Sequence, residues 1–196
     1  SCAARPSRPT TASRLARTIG RREMLLPRES ALRFIEGYKA ILLRLLADAG
    51  LPRTRSITDD LAAARSHAKD VPALIERAID SLQLEGSEVE PAVASAVRSM
   101  KVDQWVYLRH TKTFAVFIDK KVENAYEVRA LTTPLNELLD EPPFAMEMGL
   151  FEYEGLFVCD GLALNPVALG PGYKAQLKAA YTAMRKAGRV HARAAA

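Results

Sequence analysis

The sequence predicts an α+β fold: N-terminal helices, then an antiparallel β-meander of four or five strands, then a C-terminal helix. Three observations predict it. Apolar residues recur at helical spacing from Glu29 to Met100. At Trp105 the pattern changes to alternation rich in aromatic and β-branched residues. A Gly170-Pro171-Gly172 turn then leads into one more stretch of helical spacing.

The first helix is expected over Glu29 to Ala49. Leu32, Ile35, Leu42 and Leu46 form one stripe, with Phe34, Tyr38, Ile41 and Leu45 beside it and Arg33, Glu36, Lys39 and Arg44 opposite. Gly50 suits the C-terminal cap and Pro52 prevents continuation. Thr58 and Asp59 open a short helix to about Ala68. Asp70 and Pro72 start a third, carried by Leu74, Ala78, Ile79 and Leu82 and stopped at Gly86. Ser87 and Glu90 have capping-box spacing ahead of a fourth, which holds Pro91, Val93, Val97 and Met100. Short connections make these helices antiparallel neighbours.

In the second half, Trp105 to His110 reads as a strand, followed by Phe114 to Ile118, a turn over Asp119 to Asn124, and Tyr126 to Leu131. Thr133 to Leu139 suits one or two helical turns, ended by Glu141-Pro142-Pro143. Met146 to Tyr153 and Leu156 to Leu162 flank Glu154-Gly155, a two-residue connection suited to a hairpin because glycine accepts positive φ. Tyr173 to about Ala187 is the last helix, with Tyr173, Leu177, Ala180, Tyr181 and Met184 on one stripe and Gly188 closing it. Helices packed on one face of the meander are the expected arrangement.

The 196 residues suit a single domain, and 48% apolar with 26% charged residues is ordinary globular composition. The net charge of +5 is unevenly placed. Residues 1–23 hold six arginines and one acid, Glu23, which is the whole excess. Residues 161–196 hold six bases and no acid, so the middle, 24–160, is −6. Such asymmetry points to basic tails rather than a basic face. Residues 1–23 are therefore expected as a disordered basic tail, with an organelle-type leader, a nucleic-acid arm, and sequence upstream of a start at Met24 as the competing readings. Residues 24–188 form one domain, helical over 24–100 and sheet plus helix over 101–188, and 189–196 is a second tail. No apolar run approaches the roughly 18 residues of a membrane helix, so no membrane partner is expected.

Candidate chemistry is sparse. Cys2 and Cys159 are the two cysteines, too few for a disulfide framework or the usual structural zinc sites. His110 with Cys159 and Asp160 has the residue types of a nucleophile, a base and an orienter, against the plainer reading of a buried cysteine and a turn aspartate before Gly161. Asp119, Glu127, Glu147, Glu152 and Asp160 are carboxylates on or beside strands, and nothing in their spacing selects a pair. Gly170 to Lys174 lacks P-loop spacing, and Pro171 removes a backbone donor such a loop would use. Trp105, Tyr107, Arg109, Phe114 and Phe117 fit either an aromatic, basic face for single-stranded nucleic acid or a sheet packed under helices. The nucleic-acid candidates are Arg14, Arg17, Arg21, Arg22, Lys174 and Lys178. No cofactor or metal is expected.

Tyr107 to His110, Phe114 to Asp119, Tyr126 to Leu135 and Gly149 to Gly161, with the Pro27-Arg28-Glu29 entry to the first helix, resemble a family of uncharacterised bacterial proteins. The likeness spans about residues 24–175 and implies a bacterial, cytoplasmic setting. That family has no established activity, and the cysteine-rich C-terminal motif of some relatives is missing here. The leading expectation is thus a non-enzymatic cytoplasmic domain that binds another protein. Nucleic-acid binding through the basic ends is the alternative. A hydrolase centred on His110 with Asp119 or Asp160 is the third reading.

Overall fold

A computed structural model describes residues 24–139 and 141–193. Among these residues it shows an α+β fold with six helices and a seven-stranded mixed sheet. The first helix, α1 (Arg28–Asp48), forms where the apolar period predicts it, and Gly50 follows at φ +63°. Its buried stripe runs through Ala31, Phe34, Tyr38, Ile41, Leu42, Leu45 and Leu46, whereas Leu32 is exposed. The axis of the apolar face lies about one residue from the expected line, because Phe34 and Tyr38 pack against the sheet.

Three shorter helices follow: α2 (Ile57–Asp70), α3 (Ala73–Leu84) and α4 (Pro91–Arg98). Ser56 caps α2 by accepting from the Asp59 amide. The capping box expected at Ser87 and Glu90 does not form; Glu90 is the N-cap and makes no side-chain cap bond. Pro91 at the first position of α4 removes a donor that would be orphaned in any case.

The strands are β1 (Lys101–His110), β2 (Ala115–Asp119), β3 (Ala125–Arg129), β4 (Phe144–Tyr153), β5 (Leu156–Cys159), β6 (Leu164–Ala168) and β7 (Val190–His191). A short helix, α5 (Leu135–Leu138), separates β3 from β4, and α6 (Pro171–Lys186) precedes β7. The β4–β5 hairpin is as predicted, with Glu154 at φ +50° and Gly155 at φ +71°.

The expected antiparallel meander is not what these strands make. β5 and β7 both pair parallel to β3. In addition, β1 pairs with β4 along seven registered residues as well as with β2. The pairings therefore close a ring in the order β1-β2-β3-β5-β4 and back to β1. Closure removes the free edges a meander would leave. Inside the ring lie Trp105, Tyr107, Phe117, Val128, Met146, Met148, Leu150, Phe157 and Cys159.

Helices cover two outer faces, not one. Phe151, Tyr153 and Val158 of β4 and β5 pack on the α1–α4 bundle. Phe34 meets Phe151 and Tyr153 at ring distances of 5.0 and 5.1 Å. Leu108, Val116, Ile118 and Ala125 lie under Leu177, Tyr181 and Met184 of α6. Both ends of the described chain are fastened to β3. The Leu26 amide donates to the Ala130 carbonyl, and the Ala130 amide to the Met24 carbonyl. Val190 and His191 pair with Ala125 and Tyr126, so the segment from Arg189 begins as a strand rather than a tail. Residues 1–23 lie outside the described residues.

Candidate functional site

The four catalytic candidates are not brought together. His110 ends β1 on the surface, and its Nδ1 lies 3.1 Å from the Tyr107 hydroxyl. Asp119 ends β2, where it accepts from the Glu123 and Asn124 amides and from Asn124 Nδ2; it holds its own turn. Along the β1–β2 ladder His110 pairs with Ala115 and Trp105 with Asp119, which places His110 and Asp119 at opposite ends. Cys159 is buried in the ring and donates to the Arg129 carbonyl at 3.6 Å. Burial, helped by the Asp160 charge, pushes its thiol up to about 12. A nucleophilic cysteine needs the opposite shift.

Asp160 belongs to a network that the sequence did not reveal. Its side chain and that of Arg65 are fully buried and ion-paired at 2.7 Å. Tyr38 donates to the same carboxylate at 3.2 Å, and the amides of Leu162 and Gly149 donate to its other oxygen at 3.0 and 3.4 Å. Arg65 also donates to the Leu162 carbonyl and lies 3.6 Å from Glu147, which in turn pairs with Lys69 at 2.6 Å. Burial raises the Asp160 carboxyl above its ordinary value, opposed by the guanidinium and the amides. Burial and the Asp160 charge together push Tyr38 well above the usual phenol. These groups join α1 and α2 to the barrel. They are packed and engaged with one another, which is the chemistry of a seam between layers.

Eight of the described cations, Arg33, Arg44, Arg53, Arg65, Lys69, Arg98, Lys101 and Lys120, are held in ion pairs. All lie on α1, α2, α4, their loops, the start of β1 or the turn after β2. Lys174, Lys178, Arg185 and Lys186 of α6 form no such pair, and the helix holds no acid. Steps of four and seven residues at 100° each keep Lys174, Lys178 and Arg185 within about 40° of one another, spread over about 16 Å of helix. The field of Arg185 reaches Glu127 on β3, whose carboxyl burial has raised. Underneath, Arg109 stacks on the Tyr181 ring at 5.2 Å and fastens the helix to β1.

Of the nucleic-acid candidates, Lys174, which is half-buried, and Lys178, which is exposed, thus sit on one stripe, while Arg14, Arg17, Arg21 and Arg22 lie outside the described residues. Arg185 completes the stripe and was not singled out. Its helical phase with Lys178 was the available signal. The aromatic face is not formed: Trp105, Tyr107 and Phe117 turn into the ring.

The five strands of this ring form a barrel, and α6 covers its outer face over β1, β2 and the start of β3. The architecture defines a class of barrel and carries no activity by itself. Comparison with protein-family models, curated proteins and solved structures finds no match, so the resemblance noted above supplies nothing further to the site.

Proposed function

We propose that the protein binds nucleic acid through its sugar-phosphate backbone, along the outer face of α6. The observation that supports this reading is the row of cations on α6 with no acid at ion-pair distance among the described residues, on a helix that itself holds no acid. Unpaired surface cations release counterions from a polyanion at no cost in broken ion pairs. The ends of the described chain lie near one another: Met24 attaches at Ala130, one residue past β3, and Val190 at Ala125, its first residue, about 17 Å apart along the extended chain.

Recognition of this kind reads charge and not sequence. Trp105, Tyr107, Phe117 and Phe157 fill the ring, while Tyr173, at the start of α6 beside Lys174, is 62% exposed. The expectation of a protein partner finds less support. The exposed large apolar side chains of the described residues, Leu32, Ile57, Val71, Leu84, Val122, Leu138, Val167 and Tyr173, each come from a different element or connection.

The test is fluorescence anisotropy with a labelled duplex across a salt series. Three to four phosphate contacts by the folded domain give a slope of log K against log salt of about −3 to −4, steeper when residues 1–23 are present. Binding that ignores salt, or no binding at low salt, would refute the proposal.

A further inference from the structure

A second surface feature lies away from α6. A cleft of about 630 Å³ opens where the helical bundle meets the start of β1. It is lined by Ala68, Ile75, Met100 and the 4% of Trp105 left exposed by the ring, together with the charged side chains Lys69, Glu76, Arg98, Lys101 and Asp103. The volume falls in the range of small-molecule sites, which favour such interfaces.

The rim charges are not equally available. Glu76 accepts a two-pronged bond from Arg98 at 2.7 and 2.9 Å. Asp103 accepts from Lys120 at 2.9 Å. Both acids are thus held at hydrogen-bond distance. Lys69 is held by Glu147 at 2.6 Å. Lys101 is the exception: its partner, Glu152, is 3.7 Å away, beyond hydrogen-bond reach, and the lysine is 57% exposed. The charge a ligand can engage without breaking a bond is therefore positive, beside an apolar lining.

We propose that this cleft binds a small organic carboxylate with an apolar body. Lys101 takes the carboxylate, and the chain or ring lies on Ile75, Met100 and Trp105. A cation would compete with Arg98 and Lys120, which the rim acids already accept from. A polyanion would find a rim otherwise neutralised, which separates this site from the α6 stripe.

Trp105 is the single tryptophan, so its emission reports on the cleft directly. The full chain is titrated with decanoate below its micellar concentration, and with decylammonium as the matched cation. Decanoate is expected to shift or quench Trp105 saturably, and decylammonium to act at least tenfold more weakly. Lys101→Glu should weaken decanoate at least threefold, and Ala73→Phe, on the exposed wall, should abolish the response by filling the space. Urea unfolding of each variant confirms that it is folded. No saturable response to decanoate, an equal response to decylammonium, or a folded Lys101→Glu that binds like the parent would each overturn the proposal.

Discussion

Replacing Asp160 by alanine tests whether the seam between bundle and barrel rests on a desolvated ion pair. Arg65 and Asp160 are both 0% exposed at the side chain and 2.7 Å apart. Removing the carboxylate leaves the guanidinium buried, with only the Leu162 carbonyl and the 3.6 Å contact to Glu147. Two of its nitrogens, Nε and Nη2, already lack a hydrogen-bond partner among the described residues. A buried charge left without its partner costs about 3–5 kcal/mol. Tyr38 and the Leu162 and Gly149 amides lose an acceptor as well. Urea unfolding followed by tryptophan emission gives the cost directly, provided the slope of the transition is unchanged. Arg65→Met removes the other charge, and the double variant removes both. Since a buried pair taken away whole is close to neutral, the double variant should be more stable than Asp160→Ala alone, with a coupling above about 1 kcal/mol. A cost below about 1 kcal/mol for Asp160→Ala, or additive single effects, would refute a desolvated pair.

Three further outcomes follow from named contacts. A Cβ on Gly149 would meet Asp160 Oδ2 at 2.7 Å, so Gly149→Ala should cost about 1–3 kcal/mol, and less in the Asp160→Ala background, read from the same urea transitions. Because burial holds the Cys159 thiol protonated, a Cys2→Ser variant should show no reaction with Ellman's reagent at neutral pH until urea unfolds it; fast labelling of the native state would contradict this. Three carboxyls lie below their ordinary values: Asp60 through the Thr54 amide and Arg53, Glu76 through Arg98, and Asp103, where Lys120 and the Gln104 amide outweigh burial. A depressed carboxyl gives stability that is present above its unfolded pKa and lost as pH falls through its folded one. The urea midpoint should therefore drop below about pH 4, and less so in Asp60→Asn.

Local elements were legible where one period decides them. α1 follows from its apolar spacing, and the β4–β5 turn from Glu154-Gly155. Ring closure was not legible, because it depends on Lys101 meeting Leu150 and on β5 running parallel to β3, and neither pairing leaves a local mark. The alternation of Trp105 and Tyr107 reads alike whether the side chains fill a barrel or face a ligand. Asp160 before Gly161 has the form of a turn signal, which hid a buried partner for an arginine 95 residues earlier. The acid-free run containing Lys174 and Lys178 was visible. That these lysines stand unpaired, while Arg33, Arg44 and Arg98 do not, depends on tertiary neighbours.

The most direct test of backbone binding along α6 is a matched pair of charge reversals in the duplex-binding assay. Lys174→Glu/Lys178→Glu alters the stripe, and Lys39→Glu/Arg77→Glu makes the same change in net charge on exposed, unpaired positions of the bundle. The stripe variant should lose affinity steeply and flatten the salt slope by about 1.8, at about 0.9 per phosphate contact, with the bundle variant close to the parent. Equal losses from both pairs, or none from the stripe, would contradict a binding face on α6.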